Sequence, residues 1–210
     1  TFDTETVGLN PFEDRVVGMS FAIREHEAWY VPVTPGRQAE IMAIFRPLFE
    51  DEAIGKTGQN IKFDLQVLKA NGIELRGKLF DTMIAHYLIE PELRHNMTYL
   101  AETYLHYSPV EIEELIGKRG IHQATMDRVE LEKIAEYAAE DADVTLQLRN
   151  KLEPILKEQG LVELFETIEM PLMPVLADME FTGVKIDDVA LKEYAAVLMK
   201  DLLVLDEEIK

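Results

Sequence analysis

Cysteine is absent from the 210-residue chain. Disulfides and thiolate metal sites are therefore excluded, and a reducing compartment is the natural setting. The sequence shows no signal-peptide pattern and no apolar run near the length of a membrane span. Positive charge is scarce as well: 21 Lys and Arg face 40 Asp and Glu, leaving a formal charge of −19. That balance argues against a free-standing, tight nucleic-acid binder, which is usually basic. It leaves room for a nucleic-acid enzyme whose metal ions supply local positive charge. Internal repeats and low-complexity segments are also missing, and the one glycosylation sequon, Asn96-Met97-Thr98, is best read as chance. What is present is a 47% hydrophobic composition, enough for one sizeable core and an appendage.

The runs RVVGMSFAIRE and EAWYVPV are rich in β-branched and aromatic residues and flank a polar turn around Glu25 to Glu27. With the opening TFDTET they predict a three-stranded meander. The pattern then predicts a helix from Arg37 to Glu50, a short strand in AIGKTG, a helix from Asn60 stopping at Asn71-Gly72, and a fifth strand in GKLFDT. Beyond it the periodicity is helical, apart from a polar, irregular stretch from Ser108 to Asp127. One long helix is expected from Glu130 to Gln159, kinked or broken at Pro154. A second apolar-faced helix should be interrupted near Pro171 and Pro174, followed by a turn and short strand in TGVKID. A final helix from Asp188 carries Leu191, Tyr194, Leu198, Leu202, Leu205 and Ile209 on one face, with nothing after it to pack against. Strands first and helices later indicate an α/β fold with a mixed sheet flanked by helices. The abrupt start and the unpartnered last helix make the chain look like an excised piece at both ends.

Three anomalies stand out against this pattern. Strand alternation puts Phe2, Thr4 and Thr6 on one face of the first strand and Asp3 and Glu5 together on the other. Burying two like charges side by side is costly unless a cation sits between them. On the long helix, Ile134, Ala138, Thr145 and Leu148 define the packed stripe, and Tyr137 and Asp141 fall on it. Glu136, Glu140 and Asp143 lie opposite, where solvated acids belong. Asp64, one turn into its helix, sits within the apolar series Ile61, Leu65 and Leu68. Each has an ordinary reading: an isolated Asp-x-Glu is common, Asp64 could stabilise a helix N-terminus through the dipole, and Tyr-x-x-x-Asp is often a packing pair. If the four carboxylates converge, hard oxygen ligands point to magnesium or manganese rather than zinc. Two such ions suit phosphodiester hydrolysis.

The ordered set Asp-x-Glu, a central Asp and Tyr-x-x-x-Asp resembles the DEDDy 3′–5′ exonucleases. FDTET, GQNIKFD, GIELRG, FDTM and YAAEDADVTLQL resemble the proofreading domains of the bacterial family A polymerases, the DNA polymerase I family. IEMPLMPVL and GVKID resemble the passage into the polymerase domain of that family. The resemblance implies a ribonuclease-H-like fold, with a mixed five-stranded sheet, flanking helices and a helical C-terminal segment. It implies an exonuclease domain over 1–157, and over 158–210 the thumb base and first thumb helix of a polymerase domain whose own active site is absent. The implied activity is two-metal hydrolysis at DNA 3′ ends, releasing 5′-mononucleotides. Asp3 would bridge two Mg2+ or Mn2+ ions, Glu5 and Asp141 would complete the tighter position (where Zn2+ is also allowed), and Asp64 would act through water. Tyr137 would orient the attacking water. Leu9, Gln59, Asn60 and Met83 match positions that contact the terminal nucleotides. Arg94 and His95 resemble an Arg-His pair near the phosphates, although the spacing before them is one residue short. Leu9 and Met83 also fit as plain core residues. The implied partners are a single-stranded or frayed DNA 3′ end and the rest of a polymerase chain, in a monomeric, cytoplasmic, nucleoid-associated bacterial protein. Two alternatives remain at this point: a structural module of a polymerase with little activity, and a ribonuclease D-like RNA-trimming enzyme.

Overall fold

A computed structural model describes residues 1–209. The first sheet is an antiparallel meander of β1 (Phe2–Thr6), β2 (Val16–Arg24) and β3 (Glu27–Pro32), in the order β1-β2-β3. His26, at φ 65°, makes the tight turn between β2 and β3. One face of the meander is apolar. Phe2 meets Phe49 with ring centroids 5.0 Å apart, and Phe21 stacks on Phe45 at 5.1 Å. Both partners belong to α1 (Gln38–Glu50), which covers this face. Across the other face lies α6 (Leu131–Glu158), burying Ala138, Ala142, Thr145 and Leu148.

A second hydrogen-bonded group pairs β4 (Lys56–Gly58) in parallel with β5 (Leu79–Asp81), joined through α2 (Ile61–Ala70). The five segments expected to build one mixed sheet are strands, but they form a three-stranded and a separate two-stranded group rather than one five-stranded ladder. β1 lies beside β4, yet the Thr4 N–H that faces outward from β1 donates to the Asp64 carboxylate at 2.9 Å instead of to a strand. A side chain from α2 thus occupies the edge where a ladder bond would form.

Helices α3 (Thr82–Ile89) and α4 (Met97–Leu105) follow, then α5 (Ile112–Ile116) and a 3-10 turn at Met126–Arg128. The stretch expected to be irregular therefore contains short helical pieces. Three further expectations are corrected. α6 runs through Pro154 without a break, since Leu148, Leu152 and Leu156 are buried on both sides of it and hold the helix in register. The irregularity expected at Pro171 and Pro174 falls earlier, in a π-helical turn at Phe165–Glu169 between α7 (Val162–Leu164) and α8 (Met170–Thr182). That wide turn gives the Pro171 ring room against the preceding carbonyls. After Gly183, which ends α8 at φ 69°, residues 184–187 form no strand, because no strand runs beside them among the described residues. α9 (Asp188–Ile209) follows with its apolar face exposed, as the sequence pattern expects. No helix of the described residues is long and apolar enough to cross a membrane.

Candidate active site

The α6-covered face of the meander carries the acids. Asp3 is paired across the ladder with Ser20 and Glu5 with Gly18. Gly18 has a packing reason: a Cβ there would lie 2.0 Å from the Tyr30 hydroxyl, which donates to the Val17 carbonyl at 3.0 Å. From above, α6 contributes Asp141, 8% exposed and on its packed stripe. Asp3, Glu5 and Asp141 each offer one carboxylate oxygen, and these oxygens lie within 4.8 Å of one another. Asp64, 2% exposed, stands just outside this trio. Its Oδ1 accepts from both the Thr4 N–H at 2.9 Å and the Thr4 hydroxyl at 2.6 Å.

No Lys or Arg pairs with any of the four acids among the described residues, and the electrostatics follow. Burial pushes the Asp3 carboxyl up to about 7, against the Thr4 amide. Burial also raises Glu5 well above the usual carboxylate range, reinforced by Asp3, Asp141 and Asp64. Asp64 and Asp141 are raised for the same reasons, burial first and the Asp3 charge second. Three buried acids and half-buried Asp3, repelling each other, form an all-oxygen donor set fitted to a hard divalent cation. Tyr137 is half-buried beside Asp141, packed with Val17, Met126 and Ile134. Burial, then Asp141, Glu5 and Asp3, push its hydroxyl far above the ordinary phenol range. It therefore stays protonated at any working pH.

Of the trio, Glu5 lines a cleft of about 540 Å³, with Leu9, Phe63, Ile112, Glu113, Arg119 and Met126 among the other residues of its wall. A neighbouring hollow of about 430 Å³ has Tyr137, Leu115, Arg128 and Lys133 in its wall. The remaining residues singled out from the sequence are dispersed. Leu9 is exposed on the cleft that contains Glu5. Asn60 and Met83 line a separate depression against α8. Gln59 is held at both ends of its amide: its Nε2 donates to the His95 carbonyl at 2.7 Å, and its Oε1 accepts from the Thr82 hydroxyl at 2.5 Å. The His95 ring meets His86, Nδ1 to Nδ1, at 2.7 Å. Burial and then His95 push His86 down to about 4, so that ring is neutral. Arg94, which precedes His95 in the chain, is exposed.

The acids expected to be solvated behave differently from that expectation. Glu136 is exposed, but Glu140 accepts from the Val110 N–H at 2.8 Å and from the Tyr107 hydroxyl. Asp143 accepts from the His26 N–H at 2.6 Å. These two acids fasten a loop and the β2–β3 turn to α6.

Sequence reasoning missed Asp81, which is 0% exposed. It ends β5 and caps two helices at once. It accepts from Asn60 and Ile61 at the start of α2, at 3.2 and 2.8 Å, and from Met83 and Ile84 at the start of α3, at 2.8 and 3.3 Å. Asp after a short apolar strand and before a helical run is an N-cap signal. The pull on α2, with Asn60 left-handed at φ 60°, leaves no local trace. Asp81→Ala should cost about 2–4 kcal/mol, two caps lost together with several buried amides left unmatched. Urea denaturation checks this, and a loss below about 0.5 kcal/mol would mean that water replaces the carboxylate.

Comparison with known proteins agrees with this geometry. A family profile described as 3′–5′ exonuclease matches residues 1–157. DNA polymerase I of Pseudomonas aeruginosa is 41% identical over 202 residues, covering 89% of this chain and 22% of that protein. The chain thus spans about a fifth of the length of that relative. Among solved structures, the POL domain of Pol1 from M. smegmatis in complex with DNA primer-template and dNTP superposes with TM-score 0.73 at 20% identity, over 95% of this chain and 31% of that one. NrnC of Brucella melitensis with bound Mg2+ superposes with TM-score 0.69 at 24% identity, over 89% of this chain and 88% of that one.

Proposed function

This chain belongs to the 3′–5′ exonuclease family of the DNA polymerase I type, and we propose that its acidic cluster removes nucleotides from DNA 3′ ends as 5′-monophosphates, in the service of proofreading. The observation that carries the reading is the trio of half-buried Asp3 and buried Glu5 and Asp141, with oxygens within 4.8 Å and no basic partner among the described residues. Asp3, Glu5 and Asp141 would hold one divalent ion, with Asp64 helping to hold a second from the Thr4 side. Magnesium, which the NrnC neighbour binds, or manganese would supply positive charge that acidifies water and stabilises the leaving 3′ oxygen.

The chain's own residues do the rest. Thr4 fixes Asp64 by two hydrogen bonds and so sets its distance from Asp3. Tyr137, kept protonated, is a hydrogen-bond donor that orients the attacking water rather than a base that deprotonates it. The apolar wall of Phe63, Ile112 and Met126 gives a base a dry surface beside the acids and excludes bulk water. Leu9, Gln59, Asn60, Met83, Arg94 and His95 are proposed as contacts to the terminal nucleotides and their phosphates. Residues 158–210 are proposed as the beginning of the polymerase region.

A complete acid set favours activity over a purely scaffolding role. The 210-residue chain should shorten a 5′-labelled single strand from its 3′ end in magnesium or manganese and stop when chelator is added. Chelator-resistant digestion, or products bearing 3′-phosphates, would overturn the reading. A clear preference for the ribo over the deoxy strand would move it to RNA trimming.

A further inference from the structure

The chain's charge of −19 poses a problem for the proposed substrate, since a nucleic-acid strand must approach a cleft whose floor is acidic. Most exposed cations are already committed. Arg15 pairs with Asp127 at 3.1 Å, and in the neighbouring hollow Lys133 pairs with Glu130 at 2.9 Å. Lys118 and Arg119, like Arg128 in the neighbouring hollow, are exposed and among the described residues have no ion-pair partner; of these, Arg119 lines the cleft of Glu5. Lys118 and Arg119 stand on the 117–123 loop, whose neck is closed by the Ala124 N–H bonded to the Ile116 carbonyl at 2.8 Å. Within it, Gln123 bridges to the Gly120 carbonyl through its N–H and to the Gly117 carbonyl through Nε2, each at 3.1 Å. The loop is therefore a shaped projection, and Arg119, Gly120 and Gln123 line the same cleft as Glu5. At its tip Ile121 is 95% exposed, an apolar side chain set beside two free cations.

We propose that the 117–123 loop is the lip of the cleft, where Lys118 and Arg119 hold phosphates of a single strand whose 3′ end lies at Glu5 and Ile121 lies against its bases. This rests on the exonuclease reading of the site. Charges farther away than about 10 Å are screened at 0.1 M salt, so an arriving strand meets these cations against the cleft's own Glu5 and Glu113 rather than against the whole charge of −19. Each phosphate neutralised on a single strand adds about 0.7 to the slope of log affinity against log salt.

The test compares Lys118→Gln/Arg119→Gln with wild type in magnesium, on an oligothymidylate and on a chromogenic phosphodiester too short to reach the loop. The double variant should raise the oligonucleotide KM about tenfold with kcat unchanged, and flatten the salt slope of kcat/KM by about 1.4. Hydrolysis of the short substrate should be unchanged. A second pair of exposed cations away from the cleft, Lys151→Gln/Lys185→Gln, should leave all of these values as they are. An unmoved KM, an unmoved salt slope, or an equal loss in the control pair would overturn the lip. Anisotropy of the labelled oligonucleotide in chelator reads the lip without turnover. If wild type cleaves neither substrate yet binds more tightly than the double variant, the exonuclease reading fails and the lip stands.

Discussion

Asp3→Ala and Asp141→Ala should each lose about a thousandfold or more in single-turnover cleavage at saturating magnesium, while Tyr137→Phe loses only about 10- to 100-fold. The separation follows from what each group touches. Asp3 and Asp141 are two of the three carboxylates whose oxygens converge within 4.8 Å. Removing either would weaken the donor set for a cation, and with it the charge neutralisation proposed for the attacking and leaving oxygens. A thousandfold loss corresponds to roughly 4 kcal/mol of barrier. In the proposed mechanism Tyr137 would offer one hydrogen bond to the water, worth roughly 1–3 kcal/mol. Phenylalanine keeps the ring packed on Val17, Met126 and Ile134, so fold and metal affinity should survive. A Tyr137→Phe variant as inactive as the aspartate variants, and still folded, would show that tyrosine does more than orient water. A variant equal to wild type would make Tyr137 a packing residue and undercut the mechanism.

The reason the candidate residues could be picked from sequence is that Asp3, Glu5, Asp64, Tyr137 and Asp141 each break a local periodicity. Alternation along β1 is enough to place Asp3 and Glu5 on one face, and helical spacing is enough to place Asp141 and Tyr137 on the buried stripe of α6. An acid on an apolar face is a local signal that needs no knowledge of the partner strand. The strand and helix order was legible for the same reason, through period changes at Gly, Asn and Pro punctuation.

What escaped was long-range. Asp64 is anchored by Thr4, sixty residues earlier, and that bond is also what separates β1 from β4. Asp81 caps α2 from beyond its far end, and Glu140 and Asp143 read as solvated until the Val110 and His26 amides arrive from other segments. Proline rules misplaced the irregularity in the C-terminal helices, because buried leucines on both sides of Pro154 outweigh one lost backbone bond, while Pro171 is accommodated by the π turn before it. The cleft wall was missed because Ile112 and Ile116 sit in a five-residue helix, too short to show a periodic face.

Without metal, the chain should lose stability as pH rises from about 4 to 7, and saturating magnesium should reverse that loss. The sign follows from Asp3. Its folded carboxyl is raised from 3.8 to about 7 by burial. Between those values the folded state keeps a proton that the unfolded state has released, so unfolding is favoured increasingly as pH rises. Above about pH 7 the cost levels off at an order of 4 kcal/mol for this one group. Glu5, Asp64 and Asp141 are raised as well and push in the same direction. A cation that binds only the folded, ionised cluster contributes about 2.7 kcal/mol at a hundredfold excess over its Kd. For a chain of this size that is a rise in Tm of about 5–10 °C. The rise should be larger at pH 8 than at pH 5, where the cluster is partly protonated and binds the ion less well. Asp3→Asn isolates the effect from all other titrating groups. It should melt higher than wild type in chelator at pH 8, show a flatter pH profile, and respond less to magnesium. Thermal melts of both proteins at pH 5 and pH 8, with magnesium and with chelator, supply the comparison. A wild type indifferent to magnesium at pH 8 would mean that the cluster does not hold the ion. An Asp3→Asn variant less stable than wild type in chelator would mean that the buried charges are not the source of strain.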